Sequence, residues 1–171
     1  MMPDVNLTEN ESRMCTWVGK MRHANAVEYA RECGRGASAT TTNGPELHIL
    51  GAHAEYAASI ALNLYWRPNV GLLKEKDVGG LVQVRSTRSS HYALTIKPKD
   101  HDADPFVLAL QLSLQKYRMR GWLFAGDVKA RFPLRADRGD PAHHAEAADL
   151  ADMEGLLRWI EEKRNEALRG N

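Results

Sequence analysis

The sequence predicts an α/β fold in a single domain, with a mixed, largely antiparallel central sheet flanked by helices. Three observations carry this. A chain of 171 residues is too short for two ordinary domains and long enough for one with a real core. Helical spacing of apolar and small residues fills the first third and the C-terminal part. Between them, short runs of β-branched, aromatic and aliphatic residues are bounded by Gly, Pro, Asp or Ser.

The first helix is expected over 8–33. Thr8-x-x-Glu11 has the capping-box form, and Met14, Trp17, Val18, Met21 and Val27 follow at helical spacing. Gly34 and Gly36 end it, and an Ala/Ser/Thr-rich stretch runs to Gly44. The core is expected over about 47–131. Its helix spans Leu47 to Tyr65, with Ala54, Ala57, Ala58 and Ala61 allowing close approach, and Pro68 biases Arg67 away from helix. Gly71–Lys76 is a weak strand candidate; Leu81–Arg88, Tyr92–Lys97, Phe106–Leu114 and Tyr117–Phe124 are stronger. Their short connections argue for an antiparallel meander. Gly126-Asp127 turns into a short helix ending near Arg131. Asp140-Pro141 has the form of a cap and first helical residue, so the last helix is expected over about 141–168, with Leu150, Met153, Leu157 and Ile160 as its apolar stripe.

Composition narrows the function. Hydrophobic residues make up 43% and charged residues 26%, the mix of a globular chain. No run approaches the roughly 20 apolar residues of a membrane span, and the N-terminus lacks the basic-then-apolar pattern of a secretory signal. A cytoplasmic location without a membrane partner is the expectation. Cys15 and Cys33 lie 18 residues apart, roughly 27 Å along one helix at ~1.5 Å per residue, so free thiols are expected. The formal net charge of +1 excludes a uniformly basic nucleic-acid binder. It conceals an asymmetry: Arg67 to Asp100 holds seven basic and three acidic residues, whereas Asp137 to Asn171 holds nine acidic and five basic ones. A basic middle suits a phosphodiester backbone and equally suits a solvated sheet face.

The candidate site centres on Asp77-Val-Gly-Gly-Leu-Val-Gln83-Val-Arg85. Along a strand Val82, Val84 and Ser86 share one face, and Gln83, Arg85 and Thr87 share the other. Asp77 precedes them across Gly79-Gly80, where the backbone can turn tightly. Glu55 stands on the preceding helix. On spacing alone, Asp77 reads more readily as a turn residue, Gln83 and Arg85 as an exposed strand face, and Glu55 as a solvated helix residue.

The order helix glutamate, aspartate, then an acidic or amide residue two before a basic one resembles the PD-(D/E)XK nuclease superfamily. Gly51–Ala58 and Val107–Trp122 also look like segments of uncharacterised phage-type members. The resemblance covers roughly residues 10 to 130 and implies a restriction-endonuclease-like core. It also implies a metal-dependent nuclease that hydrolyses DNA with Mg²⁺ or Mn²⁺ as cofactor. Asp77 would then anchor the metal, Glu55 would be a second ligand or hold a metal-bound water, and Gln83 would offer a carbonyl oxygen. Arg85 would neutralise phosphoryl charge, and Lys74, Lys76 and Arg88 would contact nucleic acid. Two positions depart from the family pattern. Gln83 replaces the usual carboxylate, which removes one negative charge from the metal site. Arg85 replaces the usual lysine and cannot accept a proton. The competing expectation is therefore a catalytically inactive nuclease-fold protein of phage origin that binds nucleic acid or a host protein, with a homo-oligomer also open.

Other signals are weaker. Gly34-Arg-Gly36-Ala-Ser-Ala39 follows a helix, not the strand that a dinucleotide loop requires. Asp100-His101-Asp102-Ala-Asp104 reads more readily as a polar loop than as a cation site. Trp17 and Trp122 read as core, and His143-His144 as a surface pair at a helix start.

Overall fold

The structure is a computed structural model that describes residues 4–32, 44–71, 76–136 and 140–170. A two-residue strand, β1 (Val5–Asn6), leads into α1 (Glu9–Glu32), then α2 (Gly44–Leu62). Four strands follow: β2 (Gln83–Thr87), β3 (Leu94–Ile96), β4 (Pro105–Ser113) and β5 (Lys116–Phe124). Helix α3 (Ala125–Arg131), strand β6 (His143–Ala145), a 3₁₀ turn and helix α4 (Met153–Arg169) complete the described elements.

The main sheet has four strands in the order β1-β5-β4-β2, and β3 pairs with β6 in a separate two-stranded sheet. Strands β1 and β4 both run antiparallel to β5. Strand β2 runs parallel to β4 in the register Gln83↔Phe106 to Thr87↔Leu110. The expected antiparallel meander therefore fails at β2. The chain leaves β2 at Thr87 and re-enters the sheet at Pro105, and that stretch is long enough for the crossover a parallel pair requires. Strand β3 lies within it and pairs outside the sheet, antiparallel to β6.

Strand β4 is buried on both faces, which explains its unbroken apolar run. Val107 and Ala109 point into a core formed by Leu50, Ala54, Ala57 and Ala58 of α2 and Met153, Leu156 and Ile160 of α4. Phe106 and Leu108 point into a second core with Leu94, Ile96, Val128 and Ala145. A register shift at Leu108/Ala109 lets β5 serve both sides, with Tyr117 and Met119 in the first core and Leu123 in the second.

The capping box forms as expected. The Thr8 amide donates to Glu11 Oε2 at 2.7 Å, and the Glu11 amide donates to Thr8 Oγ1 at 3.3 Å. The buried face of α1 differs from the expected stripe. It runs through Ser12, Cys15 and Val18, so Trp17 is 60% exposed and Met14 lies at the surface. Trp122 does pack against the first core, and its indole donates to the Asp152 carbonyl at 2.9 Å. Gly19 permits the α1–α2 contact, since a Cβ there would lie 2.4 Å from Ile49 Cα. Ser12 Oγ and His53 Nε2 join the same two helices through a buried hydrogen bond of 3.0 Å. Cys15 is a buried free thiol, pushed up to about 12 mainly by burial, while Cys33 lies outside the described residues.

Helix α2 ends at Leu62 and not at Tyr65, because Asn63 adopts a left-handed conformation (φ 49°) and the Leu64 amide donates back to the Ser59 carbonyl at 2.9 Å. Asp140-Pro141 does not start the last helix. Ala142 pairs with Arg135, His143 and His144 belong to β6, and Asp152 caps α4 by accepting the Glu154 amide at 2.8 Å. The expected strand at Gly71–Lys76 falls mostly on 72–75, outside the described residues.

Replacing Gly19 by Ala separates two effects. Helix propensity alone favours Ala by about 1 kcal/mol. The clash with the Ile49 backbone opposes it, and we expect a net loss of about 1–3 kcal/mol, read as a lower urea midpoint at unchanged slope.

Candidate functional site

Small residues on α2 set the geometry. Ala54, Ala57 and Ala58 bring the helix onto the sheet, and the same helix presents Glu55, 7% exposed, toward α1. There Arg22 meets it in a two-pronged ion pair, Nη1 to Oε1 at 2.6 Å and Nη2 to Oε2 at 2.7 Å. Trp66 Nε1 adds a hydrogen bond to Oε2 at 3.1 Å. A buried carboxylate needs this density of donors, since leaving such a charge without its partner costs about 3–5 kcal/mol. Arg22 also fixes the following loop, its Nε donating to the Asn69 carbonyl at 2.7 Å. Asn25, one turn further along α1, donates to the Val70 carbonyl.

Asp77 arrives from the other direction. Val78 and Val82 pair across a tight turn at Gly79-Gly80, where both glycines have positive φ (61° and 66°) and the Leu81 amide donates to the Val78 carbonyl at 3.0 Å. Val78 also bridges to Trp66. This hairpin sets Asp77 beside the free edge of β2, where its Oδ2 accepts the Val84 amide at 2.7 Å.

Glu55 and Asp77 thereby line one pocket of about 250 Å³, together with Arg22, His48, Arg67 and Lys76. A second pocket of about 480 Å³ shares Arg67, Lys76 and Asp77 and adds Tyr65, Gly79 and Gly80. Burial, followed by the charge of Glu55, pushes the Asp77 carboxyl up to about 7. The Val84 amide and the charges of Arg85 and Arg22 pull the other way without cancelling it. His48 is held below its usual range by burial and by His23 and Arg22, which favours its neutral form. Lys76 pairs with Asp104 at 3.0 Å.

The remaining expected site residues lie apart. Arg85 donates to Asp100 at 2.9 Å and to the Thr95 carbonyl at 3.3 Å, and its guanidinium lies over the Phe106 ring. It thus ties β2 to β3 on the face opposite α2. Neither pocket is lined by Gln83 or Arg85. Arg88 is at the surface with Gln111 and Glu46, and Lys74 lies outside the described residues. Asp100, Asp102 and Asp104 are engaged by Arg85, Lys129 and Lys76, consistent with a polar loop. Among the described residues no group of three or more His, Cys, Asp or Glu side chains converges on one point. Nothing in the sequence decides whether Arg22 faces the pocket, and Tyr65, Trp66, Arg67 and His48 belong to no motif that singles them out.

Comparison with protein-family models, with curated proteins and with solved structures finds no match for this chain. No helix among the described residues is long and apolar enough to cross a membrane.

The raised Asp77 carboxyl has a thermodynamic consequence. Its ordinary value is 3.8 and its folded value about 7, so the folded state holds the proton more tightly. Stability is greatest below the unfolded value, falls as pH rises through that window and levels off above about pH 7. Asn at position 77 keeps an acceptor for Val84 and removes the charge. We expect metal-free Asp77→Asn to melt above the parent at pH 8 and close to it at pH 4, measured by thermal denaturation.

Proposed function

We propose that the protein is a metal-dependent nuclease that hydrolyses phosphodiester bonds of DNA, with Asp77 as the anchoring ligand for Mg²⁺ or Mn²⁺. One observation carries the reading: two carboxylates from separate elements, Glu55 and Asp77, line one pocket together with Arg67 and Lys76, and burial and the charge of Glu55 raise the Asp77 carboxyl there. Such an arrangement costs stability, and sites that bind and transform charged ligands are where such costs are concentrated.

The donor set fits a hydrated magnesium better than a fully caged one. Magnesium takes one or two carboxylates and keeps several waters. Asp77 Oδ2 is occupied by the Val84 amide, and Oδ1 has no donor among the described residues. Both oxygens of Glu55 are engaged by Arg22, but Oε1 carries a single donor and retains capacity to accept from a water. Glu55 therefore suits the role of holding a metal-bound water. When bound, the ion would make a water nucleophilic near neutral pH and screen charge on the phosphoryl oxygens. Lys76 and Arg67 would add positive charge beside the phosphorus as the water attacks and the bond to the leaving oxygen breaks. The basic stretch around them would draw in the backbone.

The binding reading without catalysis draws on a different observation. Arg85, the counterpart of the family's lysine, is committed to Asp100 and Phe106, and Gln83 lies outside the pocket. The two readings separate in a cleavage assay on end-labelled DNA with Mg²⁺ or Mn²⁺. We expect cleavage by the parent, none by Asp77→Asn with an unchanged circular dichroism spectrum, and a roughly 10²-fold loss for Lys76→Ala. Salt-dependent DNA binding without cleavage by the parent would favour the binding reading.

A further inference from the structure

The larger of the two pockets carries a feature that phosphate chemistry leaves unused. Tyr65 is 74% exposed, yet its main chain is fixed. The Gly79 amide donates to its carbonyl at 2.9 Å, and the adjacent Trp66 is buried, bonded to Glu55 and bridged to Val78. Because α2 ends at Leu62, these two residues lie beyond the helix, and Trp66 bridges to Val78. Trp66 turns inward to hold the carboxylate and Tyr65 turns outward to the second pocket. Among the described residues, the remaining lining there is Arg67, Lys76, Asp77 and the backbone of Gly79 and Gly80. A Cβ at Gly80 would meet nothing within 4 Å, so the glycine turn leaves open space on its side of the pocket.

We infer that Tyr65 is a stacking platform for one unpaired base of a single-stranded nucleic acid whose phosphate lies against Lys76 and Arg67. Four properties support this assignment. The pocket's volume of about 480 Å³ is that of a small-molecule or nucleotide site. An exposed aromatic on a rigid main chain loses little conformational entropy when a base covers it. Cations beside an aromatic ring form the pairing by which single strands are bound without sequence readout. Stacking also requires a base with a free face, which an intact duplex offers only at its ends. The inference rests on the nuclease reading, because the pocket shares Asp77, Lys76 and Arg67 with the carboxylate site, and it specifies the substrate as single-stranded.

The test is fluorescence anisotropy of labelled oligodeoxythymidylate and of a duplex of equal length, in EDTA so that no cleavage intervenes. We expect the parent to bind the single strand more tightly than the duplex. Tyr65→Ala should weaken single-strand binding roughly 10-fold and leave duplex binding unchanged, while Tyr65→Phe and Tyr65→Trp bind as the parent does. Position 65 is at the surface, so the variants should fold, and circular dichroism checks that. Equal single-strand affinity for Tyr65→Ala and the parent overturns the inference, as does tighter binding of the duplex by the parent. Absence of binding to either probe overturns it, while the nuclease reading stands or falls on the cleavage assay with Mg²⁺ or Mn²⁺. Tyr65-dependent binding in EDTA, with no cleavage when Mg²⁺ is added, removes the catalytic reading alone.

Discussion

The Arg22–Glu55 ion pair is the contact around which the site is organised. It is part-buried, two-pronged and made between α1 and α2. From it, Arg22 reaches the Asn69 carbonyl, and Glu55 reaches Trp66, which bridges to the hairpin presenting Asp77. Removing either charge would strand the other in a low-dielectric interior, so the two helices and the loop from Trp66 to Val70 are coupled through one electrostatic contact. The close crossing at Gly19 and the alanine face of α2 make the contact geometrically possible.

The two carboxylates are treated differently by their surroundings. Glu55 is neutralised by Arg22. Asp77 receives an amide hydrogen bond and has no direct ion partner among the described residues, and its carboxyl is raised accordingly. This leaves the position facing the shared pocket as the one with the most to gain from a cation. Lys76, which could serve, is turned to Asp104. Arg85 is turned to Asp100, so the guanidinium that follows Asp77 in sequence acts as a strut between β2 and β3.

The sequence carried the helix start at Thr8, the four main strand positions and the α/β class, because capping chemistry and β-rich runs are local signals. The pairing of β2 was not local. Whether β3 joins the main sheet or pairs with β6 depends on residues 143–145, and nothing near β2 encodes that. The stripe of α1 differs from the expected one because Met14 and Trp17, though large, face outward, whereas the buried face uses Ser12, Cys15 and Val18 and then continues into the pocket as Arg22 and Asn25. Asp140-Pro141 has the form of a helix start, but His143 and His144 are held in strand by pairing with β3, which delays α4 until Asp152. Glu55 and Asp77 were legible as candidates from their order, and Lys76 from the basic stretch that holds it. Tyr65 and Trp66 were not, because a helix running to Tyr65 hides the break that Asn63 creates.

Mn²⁺ tests the proposed metal role of Asp77 without requiring turnover. Electron paramagnetic resonance of free Mn²⁺, titrated with the protein, counts bound ions directly. We expect about one ion bound per chain by the parent and loss of that ion in Asp77→Asn, with the fold intact. Retention of Mn²⁺ by Asp77→Asn, or no binding by the parent, would contradict the assignment of this pocket as a metal centre.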